Sequence, residues 1–207
     1  MMGNICHMRN KLVVGLVALG VVGFAAACGD DEPTPATVVD SPGTSAAERT
    51  TTVAPQEAPD APADAAPKRA QASGDAALTV TDISVGHHEG FDRVVYELGG
   101  TGTPGWDVEY VDQAVQDGSG TAIDVAGQSV LEVRITGSVY PFDSGVEPYS
   151  GPDPVIEPSA PAVAGVYRTI VFEGVTQSFI GVNGERPAFS VSTLSNPTRL
   201  VIDIATS

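Results

Sequence analysis

Within the six positions from His87 to Asp92 lie four side chains of the kinds that ligate metals or move protons: His87, His88, Glu89 and Asp92. His88-Glu89-x-x-Asp92 falls one residue type short of the H-E-x-x-H zinc signature, whose ligands converge only when a helix carries them. Gly90 and the alternation that follows it argue instead for a turn feeding a strand, where adjacent histidines point to opposite faces. Two readings compete with a turn whose polar groups cap a hairpin: a metal site, and a hydrolase that uses His87 or His88. Neither gains a second motif. The chain has no G-x-S-x-G, residues 78–207 hold no lysine for a phosphate loop, and nothing selects one serine as a nucleophile. The sequence therefore assigns no catalytic residue and no metal ligand, implies no cofactor, and reads as a protein that is not an enzyme.

A second pattern is one of charge spacing. In Arg93-Val94-Val95-Tyr96-Glu97-Leu98 the apolar Val94, Tyr96 and Leu98 share one face, and Arg93, Val95 and Glu97 the other. Arg199-Leu200-Val201-Ile202-Asp203-Ile204 repeats that grammar, with Leu200, Ile202 and Ile204 inward and Arg199 and Asp203 outward. Arg93, Glu97, Arg199 and Asp203 are candidate contacts for the carboxylates or amines of a peptide ligand. The alternative is that they form cross-strand ion pairs, each worth about 0.2–1 kcal/mol. Tyr140 and Tyr149 are further candidate contacts, since they lie in a proline-rich segment between Gly137 and Gly165 that is long for a loop in a compact domain.

The elements that must position these residues are short strands. They are predicted over 78–86, 91–99, 105–115, 121–125, 130–136, 166–174, 178–182, 188–194 and 199–204, and no window shows a helical apolar stripe. Asp117-Gly118-Ser119-Gly120 and Gly184 supply turns, and Asn196-Pro197 stops a strand. Apolar parity slips between Val80 and Ile83, which predicts a bulge at Thr81-Asp82. Val166–Phe172 is apolar on both faces, as in a central strand. Trp106, Val108 and Tyr110 share a face that reads as core. The fold class is all-β: a single sandwich, or partly open barrel, of antiparallel strands.

Ahead of this domain the composition changes twice. Met8-Arg9-Asn10-Lys11 is a basic leader, and Met8 is a sufficient start for it. An apolar run from Leu12 to Ala27 follows, then Cys28 and acidic chain. Ala25-Ala26-Ala27-Cys28 resembles a bacterial lipobox, which would make 1–27 a lipoprotein signal peptide and Cys28 the lipidated first residue. The alternative is an uncleaved membrane helix, and either arrangement tethers the chain to a membrane. With Cys6 removed and Cys28 acylated, no disulfide can form, and two or more acyl chains suffice for stable anchoring. Residues 28–77, rich in Pro, Ala, Thr and acids, read as a disordered stalk, leaving 78–207 as the folded domain. That domain carries seventeen acids against five arginines within a chain of net charge −16, which repels nucleic acid and anionic polymers.

V-T-D-I-S-V-G-H-H-E-G-F-D-R-V-V-Y-E-L, P-G-W-D-V-E-Y-V, D-G-S-G and P-A-F-S-V-S-T-L-S-N-P-T-R-L-V-I-D-I together resemble the AMIN-like domain of actinobacterial envelope lipoproteins across Leu78 to Ile204. That family is similar in turn to the AMIN domain of cell-wall amidases and secretins. The resemblance implies a β-sandwich at the outer face of the cell membrane that binds peptidoglycan or another wall component. An adaptor docking an envelope protein is the alternative.

Overall fold

The computed structural model describes residues 61–206, so Cys28, the signal segment and most of the stalk lie outside the described residues. Nine strands and one helical turn make up the described chain: β1 (Lys68–Ala70), β2 (Ala77–His88), β3 (Phe91–Thr101), β4 (Gly105–Val111), β5 (Ser129–Thr136), α1 (Pro141–Ser144), β6 (Val163–Phe172), β7 (Val175–Val182), β8 (Phe189–Leu194) and β9 (Thr198–Ala205). They form two antiparallel sheets, one ordered β1-β4-β5-β7-β6 and the other β2-β3-β9-β8.

Alternation drives the packing. Val94, Tyr96 and Leu98 of β3 and Leu200, Ile202 and Ile204 of β9 face Val108 of β4, Leu131, Val133 and Ile135 of β5, and Ile180 and Val182 of β7. Each such side chain, once fully buried, contributes about 1.5–3 kcal/mol. Trp106 and Tyr110 pack against the same core from its rim, as their parity predicts. The buried Tyr96 hydroxyl lies 2.9 Å from Ser178 Oγ and so bonds one sheet to the other, while Ser178 itself donates to Tyr167 O at 2.6 Å. The predicted slip in β2 is a bulge: the register with β3 shifts between Val80 and Asp82, which returns Ile83 to the core face opposite Tyr96.

Three expectations change. Val166–Phe172 belongs to an edge strand, β6, not a central one. Loops cover part of it, and Ile170 stays exposed. Val155 bridges Val166 on the outer edge, Ala126 N donates to Tyr167 Oη at 3.0 Å on one face, and the Phe172 ring lies close to Gly118. Secondly, β4 stops at Val111 and residues 121–125 form no strand; Val115 and Ala122 make only an isolated bridge. The intervening chain lies across the outer face of the five-stranded sheet instead, pinned where Asp117 N donates to Gln177 Oε1 at 2.9 Å and Gln177 Nε2 donates to Val115 O at 3.0 Å. Asp117–Gly120 is the turn of that excursion and closes a minimal hairpin, with Gln116 N donating to Thr121 O at 2.8 Å beside the antiparallel Val115–Ala122 bridge.

Thirdly, order begins ahead of Leu78. Lys68, Arg69 and Ala70 pair with Val108, Asp107 and Trp106, and Asp64 bridges Phe189 at the edge of the other sheet. The last part of the predicted stalk is therefore a strap across one side of the sandwich. Its hold is polar: Arg69 Nε donates to Asp107 Oδ2 at 2.8 Å, and Lys68 pairs with Asp64 while its ammonium sits 4.7 Å from the Phe189 ring centre.

The opposite side of the sandwich, between β2 and β6, is spanned by residues 137–162. Leu78 N donates to Gly137 O, Val139 N to Leu78 O and Tyr149 N to Val80 O, so this segment lies along the β2 edge as ordered chain. Pro141 opens α1, and Gly145, at φ 69°, closes it by donating to Pro141 O.

Candidate binding site

The hairpin joining β2 to β3 separates the four residues that suggested chemistry. Glu89-Gly90 is its two-residue turn, and the register sets His87 against Asp92 and His88 against Phe91. Asp92 faces inward, and His87 stands beside it at the exposed rim of the same face. Asp92 is 0% exposed; its Oδ1 accepts from His87 Nδ1 at 2.6 Å and its Oδ2 from Ala162 N at 2.6 Å. The carboxylate thus ties the hairpin to the chain that enters β6. His88 lies on the other face, stacked on Phe91 at 4.9 Å, and the Arg93 guanidinium covers the same ring at 5.2 Å. The four side chains do not converge, and among the described residues no three His, Cys, Asp or Glu side chains are grouped to hold a metal.

The two R-x-x-x-[DE] strands are antiparallel neighbours, which places Arg93 opposite Asp203 and Glu97 opposite Arg199. One pair closes. Arg93 Nε donates to Asp203 Oδ1 at 2.6 Å and Nη2 to Oδ2 at 2.8 Å, a two-pronged arrangement that raises the Arg93 pKa through hydrogen bonding to the carboxylate. Asp203 is only 2% exposed, so it faces its partner rather than solvent. Arg199 turns away, its Nε donating to Pro197 O at 3.3 Å, and among the described residues Glu97 has no ion-pair partner. The ion-pair alternative holds for Arg93 and Asp203, whose polar groups are spent on each other.

The 137–162 segment divides its two tyrosines. Tyr149 is 6% exposed and belongs to the core; its hydroxyl donates to Pro152 O at 2.9 Å, and burial, with the nearby Asp82 charge added, raises its pKa. It is a wall of the fold, not a surface contact. Tyr140 stays half-exposed and stacks on Phe142 with ring centres 5.5 Å apart and planes 4° apart. Phe142 is 80% exposed and Ile170, across the opening on β6, is 66% exposed.

Between these aromatics and β6 runs an open crevice of about 410 Å³, in the size range of small-ligand sites. Thr79 and Val80 of β2 form its floor, Tyr140, Pro141 and Pro148 one side, and Arg168, Ile170, Val171, Phe172 and Thr176 the other. Neither Arg168 nor Ile170 stands out in the sequence, because β6 reads there as a buried central strand. The signal that could have found them is the odd polarity of an arginine within Val166–Phe172.

A two-sheet antiparallel sandwich with an apolar, cation-bearing crevice at one lateral edge has the form of a binding domain. Comparison with known families gives the particular kind: residues 78–206, well over half of the chain, match the AMIN-like domain, and the chain belongs to that family. No curated protein and no solved structure matches the chain. The matched span begins after β1, so the strap lies outside it.

Proposed function

We propose that this protein is a non-catalytic binding module of the cell envelope that recognises peptidoglycan or another cell-wall component. In this reading it is held at the outer face of the membrane by a lipid on Cys28. Membership of the AMIN-like family supports the wall as the address. The observation that carries the reading is the crevice between β2 and β6, where the exposed Ile170 and Tyr140, the latter stacked on the exposed Phe142, border a largely apolar lining of Val80, Pro141, Pro148 and Val171. Exposed aromatic and aliphatic side chains gathered at one opening are costly to leave in water and mark interaction sites. The same exposed rim favours a second reading, in which the partner is an envelope protein.

The test is retention of the full-length protein on purified peptidoglycan across a salt series. Saturable retention at physiological ionic strength is expected. Failure to pellet at any salt concentration transfers the crevice to a protein partner.

A further inference from the structure

Six arginines lie among the described residues, and four are in ion pairs: Arg69 with Asp107 and Glu109, Arg93 with Asp203, Arg134 with Asp117 and Glu132, and Arg186 with Asp112. Arg199, the fifth, is spent on a carbonyl. Arg168 differs from all of these. Its Nη1 donates to Tyr149 O at 2.5 Å and its guanidinium lies 5.3 Å from the Tyr149 ring centre, but its Nε is buried with no acceptor. Asp153, the acid beside it, accepts at 3.2 Å from the Arg168 backbone N–H. In so acidic a domain, a guanidinium fixed through Nη1, with a buried Nε and an Nη2 that makes no hydrogen bond among the described residues, has a donor left for an incoming anion.

Arg168 is also, among the described residues, the only charged side chain that lines the crevice. Of the other polar groups there, the Tyr140 hydroxyl stands at the exposed rim and the two threonines are engaged. Thr79 Oγ1 lies 2.7 Å from Ser144 Oγ and 3.3 Å from Val139 O, and Thr176 Oγ1 donates to Ser138 Oγ at 2.9 Å. A sugar ring, with several hydroxyls to satisfy, finds one strong partner here, whereas a carboxylate needs only that one. Val80, Pro148 and Val171 then offer apolar walls for a small side chain next to that carboxylate. Because the crevice opens between the edges of two sheets, a longer chain can continue outward.

We infer that the crevice takes the C-terminal carboxylate of a peptide whose last residues carry small apolar side chains, with Arg168 as its anchor. This rests on the wall-binding reading above and names the peptide, not the glycan, as the component bound.

The experiment uses full-length protein and two probes, N-acetyl-Ala-Ala and its C-terminal amide, followed by amide chemical shifts. The acid shifts the resonances of Val80, Ile170 and Val171, and the amide binds at least about tenfold more weakly, the loss expected for a charge-assisted hydrogen bond. Arg168→Gln abolishes that preference and Arg168→Lys keeps part of it. If Arg168→Gln does not fold, Ile170→Glu at the exposed rim serves instead, since it weakens the acid while sparing the amide. Equal binding of acid and amide, or shifts on the Arg199 face instead of the crevice, overturns the inference. Peptidoglycan retention that the acid does not compete away overturns it too, yet leaves the wall-binding reading intact. Peptide binding without peptidoglycan retention removes the wall and leaves a receptor for protein C-termini.

Discussion

The outer face of the four-stranded sheet and the crevice between β2 and β6 each present arginine, and the two handle it in opposite ways. On the sheet face Arg93 lies against the nearly inaccessible carboxylate of Asp203, both oxygens engaged. In the crevice Arg168 has one carbonyl, one aromatic ring and an N–H with nothing to receive it. A satisfied charge pair fixes strand register and leaves little for a ligand to gain. An unsatisfied cation beside exposed apolar surface is where a ligand adds most. The more conspicuous charges in the sequence are therefore the structural ones, and the site lies where the strand pattern reads as core.

The largest effects are expected at the paired charges. Asp203→Ala leaves Arg93 half-buried without its partner, and the expected loss is about 3 kcal/mol, read from urea unfolding at neutral pH. A cost below about 0.5 kcal/mol would mean that the pair is ordinary surface chemistry and that the sheet face remains open to ligands. Asp92→Ala, which unties His87 and Ala162 together, is expected to cost a similar amount.

The strap comes next. A chain that begins at Leu78 lacks β1 and its bonds to Asp107, and it is expected to be less stable than one beginning at Ala61 by about 1–2 kcal/mol, with Trp106 fluorescence shifted toward that of a wetter indole. Equal stability would return Lys68–Ala70 to the stalk.

A pH titration sharpens the picture of the core rim. Burial pushes the Tyr110 hydroxyl up to about 12, with the Arg186 charge opposing, so the folded state holds a proton that the unfolded chain releases near 10. The resulting stability is fully present below pH 10 and is lost as pH rises from 10 to 12. Tyr110→Phe should flatten part of that decline, monitored by unfolding midpoints, though it also removes the bond to Pro187 O. An unchanged slope would place Tyr110 in water.

The smallest effect on stability belongs to the crevice rim. Phe142→Ser touches a side chain that is mostly in solvent, so the unfolding free energy should move by no more than about 0.5 kcal/mol while ligand retention falls. A large stability loss would make Phe142 part of the fold.

Much of the four-stranded sheet was legible because its strands obey one rule at a time. β3 alternates cleanly, β9 keeps Leu200, Ile202 and Ile204 on the core face, and the parity slip in β2 marks the bulge at Thr81. What escaped is structure whose cause lies far along the chain. β1 has no apolar period, since Arg69 is held by carboxylates 38 and 40 residues away. β6 reads as central because loops cover it at Val166 and Tyr167, and because its exposed Ile170 belongs to the crevice rather than to a core. Tyr149 looks like a loop aromatic until the hydrogen bond from its backbone to Val80 draws it into the core. Of the candidate contacts, Tyr140 remains at the crevice. Phe142, Ile170 and Arg168 join it only once two sheet edges and a loop are set side by side.

The most direct measurement is retention on purified peptidoglycan of the full-length protein alongside two variants, Ile170→Glu at the crevice and Arg199→Ala on the sheet face. Saturable retention of the wild type is expected, with its loss in Ile170→Glu and its persistence in Arg199→Ala. Loss in Arg199→Ala with Ile170→Glu unaffected would move the site to the sheet face and contradict the account.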